Sequence, residues 1–119
     1  MTTTDRRRHT RVDSINLLAY TTFGNDKRIV SQGMGRTLNV SESGILLETH
    51  EAIEGSDHVA VTIALEEELV FIRGSLVRSI PGEDGTYATG INFFEMNDNE
   101  TAALQDYIRT FLALQEAEE

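Results

Sequence analysis

The chain has 119 residues, a length that fits one domain and is sufficient to bury a core. It contains no cysteine, which excludes disulfide bonds and thiolate metal sites. Its formal net charge of −10 argues against binding to a nucleic-acid polymer, because such binding needs an extended basic surface that neutralises phosphates. No apolar run approaches the roughly 20 residues of a membrane span, and the N-terminus is not a signal peptide. We therefore expect a cytoplasmic protein without membrane insertion.

The basic residues are concentrated near the N-terminus. Residues 5–11 contain four Arg and one Asp, a formal charge of +3, whereas all other residues together carry −13. Residues 1–5 are polar and are expected to be disordered. We call residues 6–11 the arginine arm. A compact cationic segment on an acidic protein favours a small anionic ligand over a polymer.

Six strand-like segments are predicted across residues 12–95, joined by short turns rich in Gly, Asn, Asp, Ser and Glu. They are Val12–Phe23, Ile29–Val40, Ile45–Thr49, Val59–Leu65, Leu69–Ser79 and Tyr87–Phe94. In the first segment Ile15, Leu17 and Ala19 share one face and Leu18 and Tyr20 the other. Gly33 and Gly35 weaken the second segment and indicate a bulge. Ile80–Gly85 is a strong turn signal.

The pattern changes period at residues 97–116, which predict a helix. Asn97 precedes Glu100 by three residues, as in a capping box. An apolar stripe follows at helical spacing, formed by Leu104, Tyr107, Ile108, Phe111 and Leu112. Short strands joined by tight turns favour a mainly β fold, a six-stranded antiparallel barrel, with the C-terminal helix packed over one open end. No linker divides residues 6–119, so one domain is expected.

Nothing in the sequence indicates an enzyme. The nucleophile elbow, the P-loop and the dinucleotide-binding glycine motif are all absent. The three histidines, His9, His50 and His58, are scattered without metal-ligand spacing. We therefore predict neither catalytic activity, nor a metal, nor a cofactor.

Two segments are candidates for ligand binding. Arg7 and Arg11 are four residues apart, and the planar donor groups of arginine suit phosphate oxygens and the O6/N7 edge of guanine. Taken by itself, however, the arm fits a solvated tail better than a binding site. In the turn that begins at Asn39, the side chains of Asn39 and Ser41 can point to one side, and Gly44 permits a positive φ or a close backbone approach. An ordinary Asn/Ser/Gly turn would have the same composition.

Together these segments resemble the signature of the PilZ domain, RxxxR followed by (D/N)xSxxG. The matching residues are Arg7 and Arg11, then Asn39, Ser41 and Gly44. The later Gly90–Phe93 is similar to the glycine-hydrophobic-x-Phe of the family's last barrel strand. The resemblance covers nearly the whole chain and implies a bacterial receptor for cyclic di-GMP.

The resemblance also assigns roles to residues. It places the ligand between the arm and the turn, with ligand-binding residues Arg6, Arg7, Arg11, Asn39, Ser41 and Gly44 and possible additional contacts from Arg8 and Arg78. An arginine at position 6 resembles family members that bind a stacked ligand dimer, which leaves the stoichiometry open.

We expect the arm to be mobile without ligand, to close over cyclic di-GMP, and to pass the signal to a protein partner. One alternative is a PilZ-like module that docks a protein and binds no nucleotide. An RNA-binding barrel is a third possibility, but it would need aromatic stacking residues on its strands. The available aromatics, such as Phe71 and Phe93, fit the core and barrel closure better.

Overall fold

A computed structural model describes residues 17–53, 58–65 and 68–118, apart from the side chains of Leu65 and Glu118. The predicted disordered segment 1–5, the arginine arm, the first residues of the first strand and most of the Glu66–Glu68 turn lie outside the described residues.

The described chain forms six strands and one helix. The elements are β1 (Leu17–Phe23), β2 (Ile29–Val40), β3 (Gly44–Thr49), β4 (His58–Leu65), β5 (Glu68–Pro81), β6 (Tyr87–Phe93) and α1 (Asp98–Glu118). The strands pair antiparallel in the closed order β1-β2-β3-β6-β5-β4, which confirms the predicted barrel. Ile80 and Pro81 were expected in a turn but belong to β5, where Pro81 ends the strand opposite Tyr87.

Alternation determines which side chains fill the barrel. In β4, Val59, Val61 and Ile63 each have at most 1% of their surface exposed to solvent. In β1 the buried residues include Leu18 and Tyr20, whereas Leu17 keeps 42% of its surface exposed. Both faces of this strand carry apolar residues, so its alternation did not determine which face would be inside.

Gly33 and Gly35 do not mark a bulge of β2. The register with β1 shifts at Val30, and the register with β3 shifts between Thr37 and Asn39. A Cβ atom at Gly33 would lie 2.6 Å from the phenol oxygen of Tyr20, so this glycine makes room for the buried tyrosine ring. A wide side chain on one strand therefore explains a missing side chain on the next.

The helix begins with the predicted capping box. The Glu100 amide donates to Asn97 Oδ1 (2.8 Å), and the Asn97 amide donates to Glu100 Oε1 (3.0 Å). The helix packs against β4 and β5, and its buried residues join the same cluster as the barrel interior. That cluster takes in Ala103, Leu104, Tyr107 and Phe111, with Ile108 partly buried.

Leu112 was wrongly assigned to the buried stripe, because it is 50% exposed. Successive residues are rotated by about 100° around a helix axis. The packed face is centred near Tyr107, and one step beyond Phe111 carries Leu112 out of it.

Four buried threonines each have a hydroxyl partner, so the polar side chains that they bring into the barrel interior are hydrogen-bonded. The pairs are Thr22 with Ser31 (2.7 Å), Thr37 with Tyr107 (2.8 Å) and Thr49 with Thr89 (3.0 Å). Burial raises the pKa of the Tyr107 phenol, and the hydrogen bond with Thr37 partly opposes that rise.

Candidate functional site

A groove of about 510 Å³ lies on the outer face of β3, β6 and β5. The strand register explains its shape, because Gly90 on the middle strand pairs with Leu46 on one side and with Arg78 on the other. The preceding outward residue of β6 is Ala88. Small residues on the central strand, flanked by long ones, leave a concave surface. The lining residues are Asn39, Val40, Ser41, Ser43, Gly44, Ile45, Leu46, Val77, Arg78, Ile80, Ala88, Gly90, Ile91 and Asn92.

The β2–β3 turn forms the polar wall of this groove. Asn39 and Ser41 are exposed, and both line it together with Gly44. The Ser41 amide donates to the Gly44 carbonyl (2.9 Å), and Asn39 Oδ1 accepts from the amide of Val40 (2.9 Å). The backbone of Ser43 is also bonded to β6, because its carbonyl accepts a hydrogen bond from the Phe93 amide (2.9 Å). The turn is thus held by local bonds while its polar side chains face solvent.

Gly44 is required for a close approach between strands rather than for a positive φ. Among the described glycines only Gly85 has a positive φ. A Cβ atom at Gly44 would lie 2.6 Å from the carbonyl oxygen of Ile91 on β6. The bare backbone therefore lets β3 and β6 meet tightly at the groove wall.

Arg78 lies in the groove opposite the polar turn. A register shift between Leu76 and Arg78 leaves Val77 bulged and presents both Val77 and Arg78 to solvent. Across residues 17–53, 58–65 and 68–118, Arg78 is the arginine without an ion pair. The others pair as Arg28–Asp26, Arg36–Glu48, Arg73–Glu95 and Arg109–Asp106. An unpaired guanidinium in a groove, on a chain of charge −10, favours an anionic or hydrogen-bond-accepting ligand.

Several groove residues were not foreseen from the sequence. Asn92 sits on the outer face of β6 and pairs with Gly44, a position that strand alternation in Gly90–Phe93 could have indicated. Leu46, Val77 and Ile80 are exposed apolar residues that line the groove. Ile80 was assigned to a turn, so no sequence signal placed it beside Arg78. These side chains offer an apolar surface against which a flat ring could lie.

The arm residues Arg6, Arg7, Arg8 and Arg11 lie outside the described residues. Within the described part of the chain, no group of three or more His, Cys, Asp or Glu side chains could hold a metal ion. No described helix combines the length and the apolar character that crossing a membrane requires.

The model of the PilZ domain family matches residues 5–110 of this sequence. The chain belongs to the PilZ domain family. The matched region includes the arginine arm, the barrel and most of the helix of this PilZ domain. A search among curated proteins found no match.

Solved structures share the fold of this PilZ domain. The PilZ domain of YcgR from Escherichia coli, solved with c-di-GMP, has a TM-score of 0.57 at 14% identity, covering 87% of this chain and 88% of its own. The PilZ domain of CeSA from a cellulose synthesizing bacterium has a TM-score of 0.52 at 15% identity, covering 83% and 93%.

MrkH from K. pneumonia, in its apo state, has a TM-score of 0.59 at 9% identity and 86% coverage of this chain. The match covers 47% of MrkH, so this PilZ domain spans about half the length of that protein. Identities this low show a shared fold alone.

Proposed function

We propose that the protein is a cytoplasmic, non-catalytic receptor for cyclic di-GMP, in which the arginine arm closes over the ligand on the barrel and a protein partner reads the result. The observation that carries the proposal is the groove itself. Asn39, Ser41 and Gly44 line it together with Arg78, which has no ion pair among the described residues. Family membership and the c-di-GMP-bound YcgR domain of the same fold support the choice of ligand.

The chemistry of the groove suits this ligand. Cyclic di-GMP has two phosphates and two guanine rings. Arg78 offers paired donors to a phosphate or to guanine O6 and N7. Leu46, Val77 and Ile80 provide apolar surface for a purine face. A volume of about 510 Å³ lies within the usual range of ligand pockets.

The arm supplies the remaining charge in this proposal. Arg7 and Arg11 clasp the ligand from the side opposite the turn, with Arg6 and Arg8 as further contacts. Hydrogen bonds between guanidinium groups and phosphates are charge-assisted and stronger than neutral ones. Ordering the arm costs about 1–2 kcal/mol per residue in backbone entropy, so ligand contacts must exceed that cost before affinity appears.

Isothermal titration calorimetry at fixed salt tests the proposal. We expect wild type to bind cyclic di-GMP much more tightly than GMP, and Arg7→Ala to lose most of that affinity. Arg28→Ala is the matched control, because it removes the same charge from an exposed arginine paired with Asp26 in the β1–β2 turn. The titration also gives the number of ligand molecules bound per chain. It therefore tests whether the protein, with arginine at position 6, binds a stacked ligand dimer.

Two results would count against the receptor. Equal affinities of wild type and Arg7→Ala for cyclic di-GMP would show that the arm takes no part in binding. Absence of binding by wild type would leave the alternative, a PilZ module that docks a protein without nucleotide. Retardation of duplex DNA at moderate salt would contradict the expected selectivity against polymers.

A further inference from the structure

We infer that the outer surface of β2, β1, β4 and the first half of β5 docks a cationic, apolar segment of a protein partner. This inference rests on the proposed function, since a receptor must pass its signal on. The surface, called here the apolar face, is defined by Leu17, Met34, Leu69 and Phe71. All four are large apolar side chains, and their exposed fractions are 42%, 52%, 64% and 56%. The prediction that Phe71 fits the core was therefore wrong.

The strand register makes the apolar face continuous. Ala19 pairs with Met34 on β2 and with Thr62 on β4, and Thr62 pairs with Phe71 on β5. Paired residues point to the same side of a sheet, so these four form one row across four strands. Leu69 follows on β5, opposite Ala64. A contiguous apolar surface of this kind on a soluble barrel marks an interaction site.

The apolar face and the nucleotide groove occupy different parts of the barrel. The groove lies on β3, β6 and the second half of β5, whereas the apolar face lies on β2, β1, β4 and the first half of β5. Strand β5 contributes Phe71 to one and Arg78 to the other. A partner on the apolar face would therefore leave the groove free, and both can be occupied together.

Charge identifies the chemistry of the partner. A depression of about 400 Å³ continues the apolar face between the start of β5 and the start of α1. Its described lining contains Leu69 and Phe71 with the acidic side chains Glu68 and Glu100, and no Lys or Arg. Asp98 adds a further carboxylate at the helix start. At the other end of the face Arg73, two residues beyond Phe71, forms an ion pair with Glu95, so that pair adds no net charge. The net negative charge therefore lies at the end of the face that contains Glu68.

These charges favour a basic partner over a second copy of the chain. Two copies would each bring a net charge of −10, which opposes association. A segment with apolar residues and Lys or Arg beside them would instead meet carboxylates at the rim and apolar side chains at the centre. Such complementarity determines partner choice and association rate.

A defined peptide tests the inference. The probe is a fluorescein-labelled synthetic peptide that alternates leucine and lysine, with a second peptide that has glutamate in place of lysine. Measured by anisotropy, wild type should bind the lysine peptide, lose affinity as salt is raised, and bind the glutamate peptide at least tenfold more weakly. The double variant Leu69→Lys/Phe71→Lys should weaken binding of the lysine peptide at least tenfold.

The control is Leu112→Lys, which adds one charge at a position of similar exposure in the second half of the helix, whereas the depression lies at the start of the helix. It should bind the peptide within about twofold of wild type. The double variant should keep cyclic di-GMP affinity within about twofold, which separates this inference from the proposed function. If wild type binds no cyclic di-GMP but binds the peptide as described, only the proposed function fails.

Three outcomes would overturn the docking inference. They are equal binding of the two peptides, equal loss on Leu112→Lys and on the double variant, and a concentration-dependent dimer of wild type that the double variant abolishes. Amide chemical shifts of wild type provide a test that needs no variant. The largest changes on adding the lysine peptide should fall on residues 68–71, and changes confined to the groove would contradict the assignment.

Discussion

The hydroxyl oxygens of Thr37 and Tyr107 lie 2.8 Å apart in the buried interior and join β2 to the terminal helix across 70 residues of sequence. Apolar contacts hold the helix against β4 and β5, so this polar contact reaches a third strand. Strand β2 ends at Val40, directly after Asn39 of the groove. The helix therefore fixes the strand that presents one wall of the candidate site.

Removing either hydroxyl should destabilise the protein. In Tyr107→Phe the buried Thr37 hydroxyl loses its partner, and in Thr37→Val the phenol does, so each change should lower the free energy of unfolding by about 1–3 kcal/mol. The double variant should lose clearly less than the sum of the single variants, because it leaves no unpaired group. Urea denaturation of all four proteins measures the coupling. Strict additivity would show that the two hydroxyls do not interact.

The raised pKa of Tyr107 leads us to expect a loss of stability at high pH. Burial raises the pKa of Tyr107 in the folded protein above its ordinary value of about 10. The resulting contribution to stability is fully present below pH 10 and is lost as the pH rises through the raised pKa, because the unfolded chain then releases its proton more readily. The pKa of Tyr20 is raised too, by burial and then by the charge of Glu51.

Tyr107→Phe should therefore reduce the alkaline decline without abolishing it. Thermal unfolding between pH 8 and 11, followed by circular dichroism, measures the decline in both proteins. Parallel curves for the variant and wild type would contradict the assignment of the shift to this phenol.

Much of the fold could be predicted from the sequence because burial follows periodicity. The reciprocal cap of the helix was predicted correctly, because it depends on Asn97 and Glu100, which are close in sequence. The inner face of β1 could not be predicted, because apolar residues occur on both of its faces. The role of Gly33 depends on Tyr20 from a neighbouring strand, and such pairing appears only once the register is known.

In the candidate site, too, local motifs could be predicted from the sequence, whereas features that depend on neighbouring strands could not. Asn39, Ser41 and Gly44 were singled out from a local motif, and the structure places them along one groove. Arg78 was named only as a possible additional contact implied by the resemblance, and the bulge at Val77 takes this part of β5 out of simple alternation. The apolar lining and the concavity depend on residues from three strands, so no local pattern could have shown them.

The capping box predicts a measurable stability loss. Asn97→Ala removes the oxygen that accepts from the Glu100 amide and should lower the free energy of unfolding by about 1 kcal/mol. Asn97→Asp keeps an acceptor at the same place and should remain close to wild type. Chemical denaturation of both variants is the measurement. If the alanine variant were as stable as the aspartate variant, the cap would contribute nothing.

Two groove glycines should separate stability from binding. At Gly44 an added methyl would meet the Ile91 carbonyl at 2.6 Å, so Gly44→Ala should destabilise the fold by about 1–3 kcal/mol. At Gly90 the nearest described atom to an added methyl is Val77 Cβ at 3.7 Å, which is an ordinary contact. Gly90→Ala should keep or slightly raise stability, yet weaken cyclic di-GMP binding by filling the groove centre. Melting temperatures and calorimetry test both, and unimpaired binding by Gly90→Ala would place the ligand elsewhere.

Arg78 should contribute to ligand binding through its planar donors as well as its charge. Hydrogen bonds to charged groups are worth about 1.5–3 kcal/mol, so Arg78→Ala should weaken cyclic di-GMP binding by roughly tenfold to over a hundredfold. Arg78→Lys keeps the charge but not the paired donors and should restore only part of the affinity. Arg109→Ala is the control, because that arginine is exposed on the helix and paired with Asp106. Calorimetry on the three variants distinguishes a contribution of the paired donors from a contribution of charge alone. Equal losses of affinity in Arg78→Ala and Arg109→Ala would mean that only overall charge matters. Wild-type affinity in Arg78→Lys would mean that a point charge is sufficient.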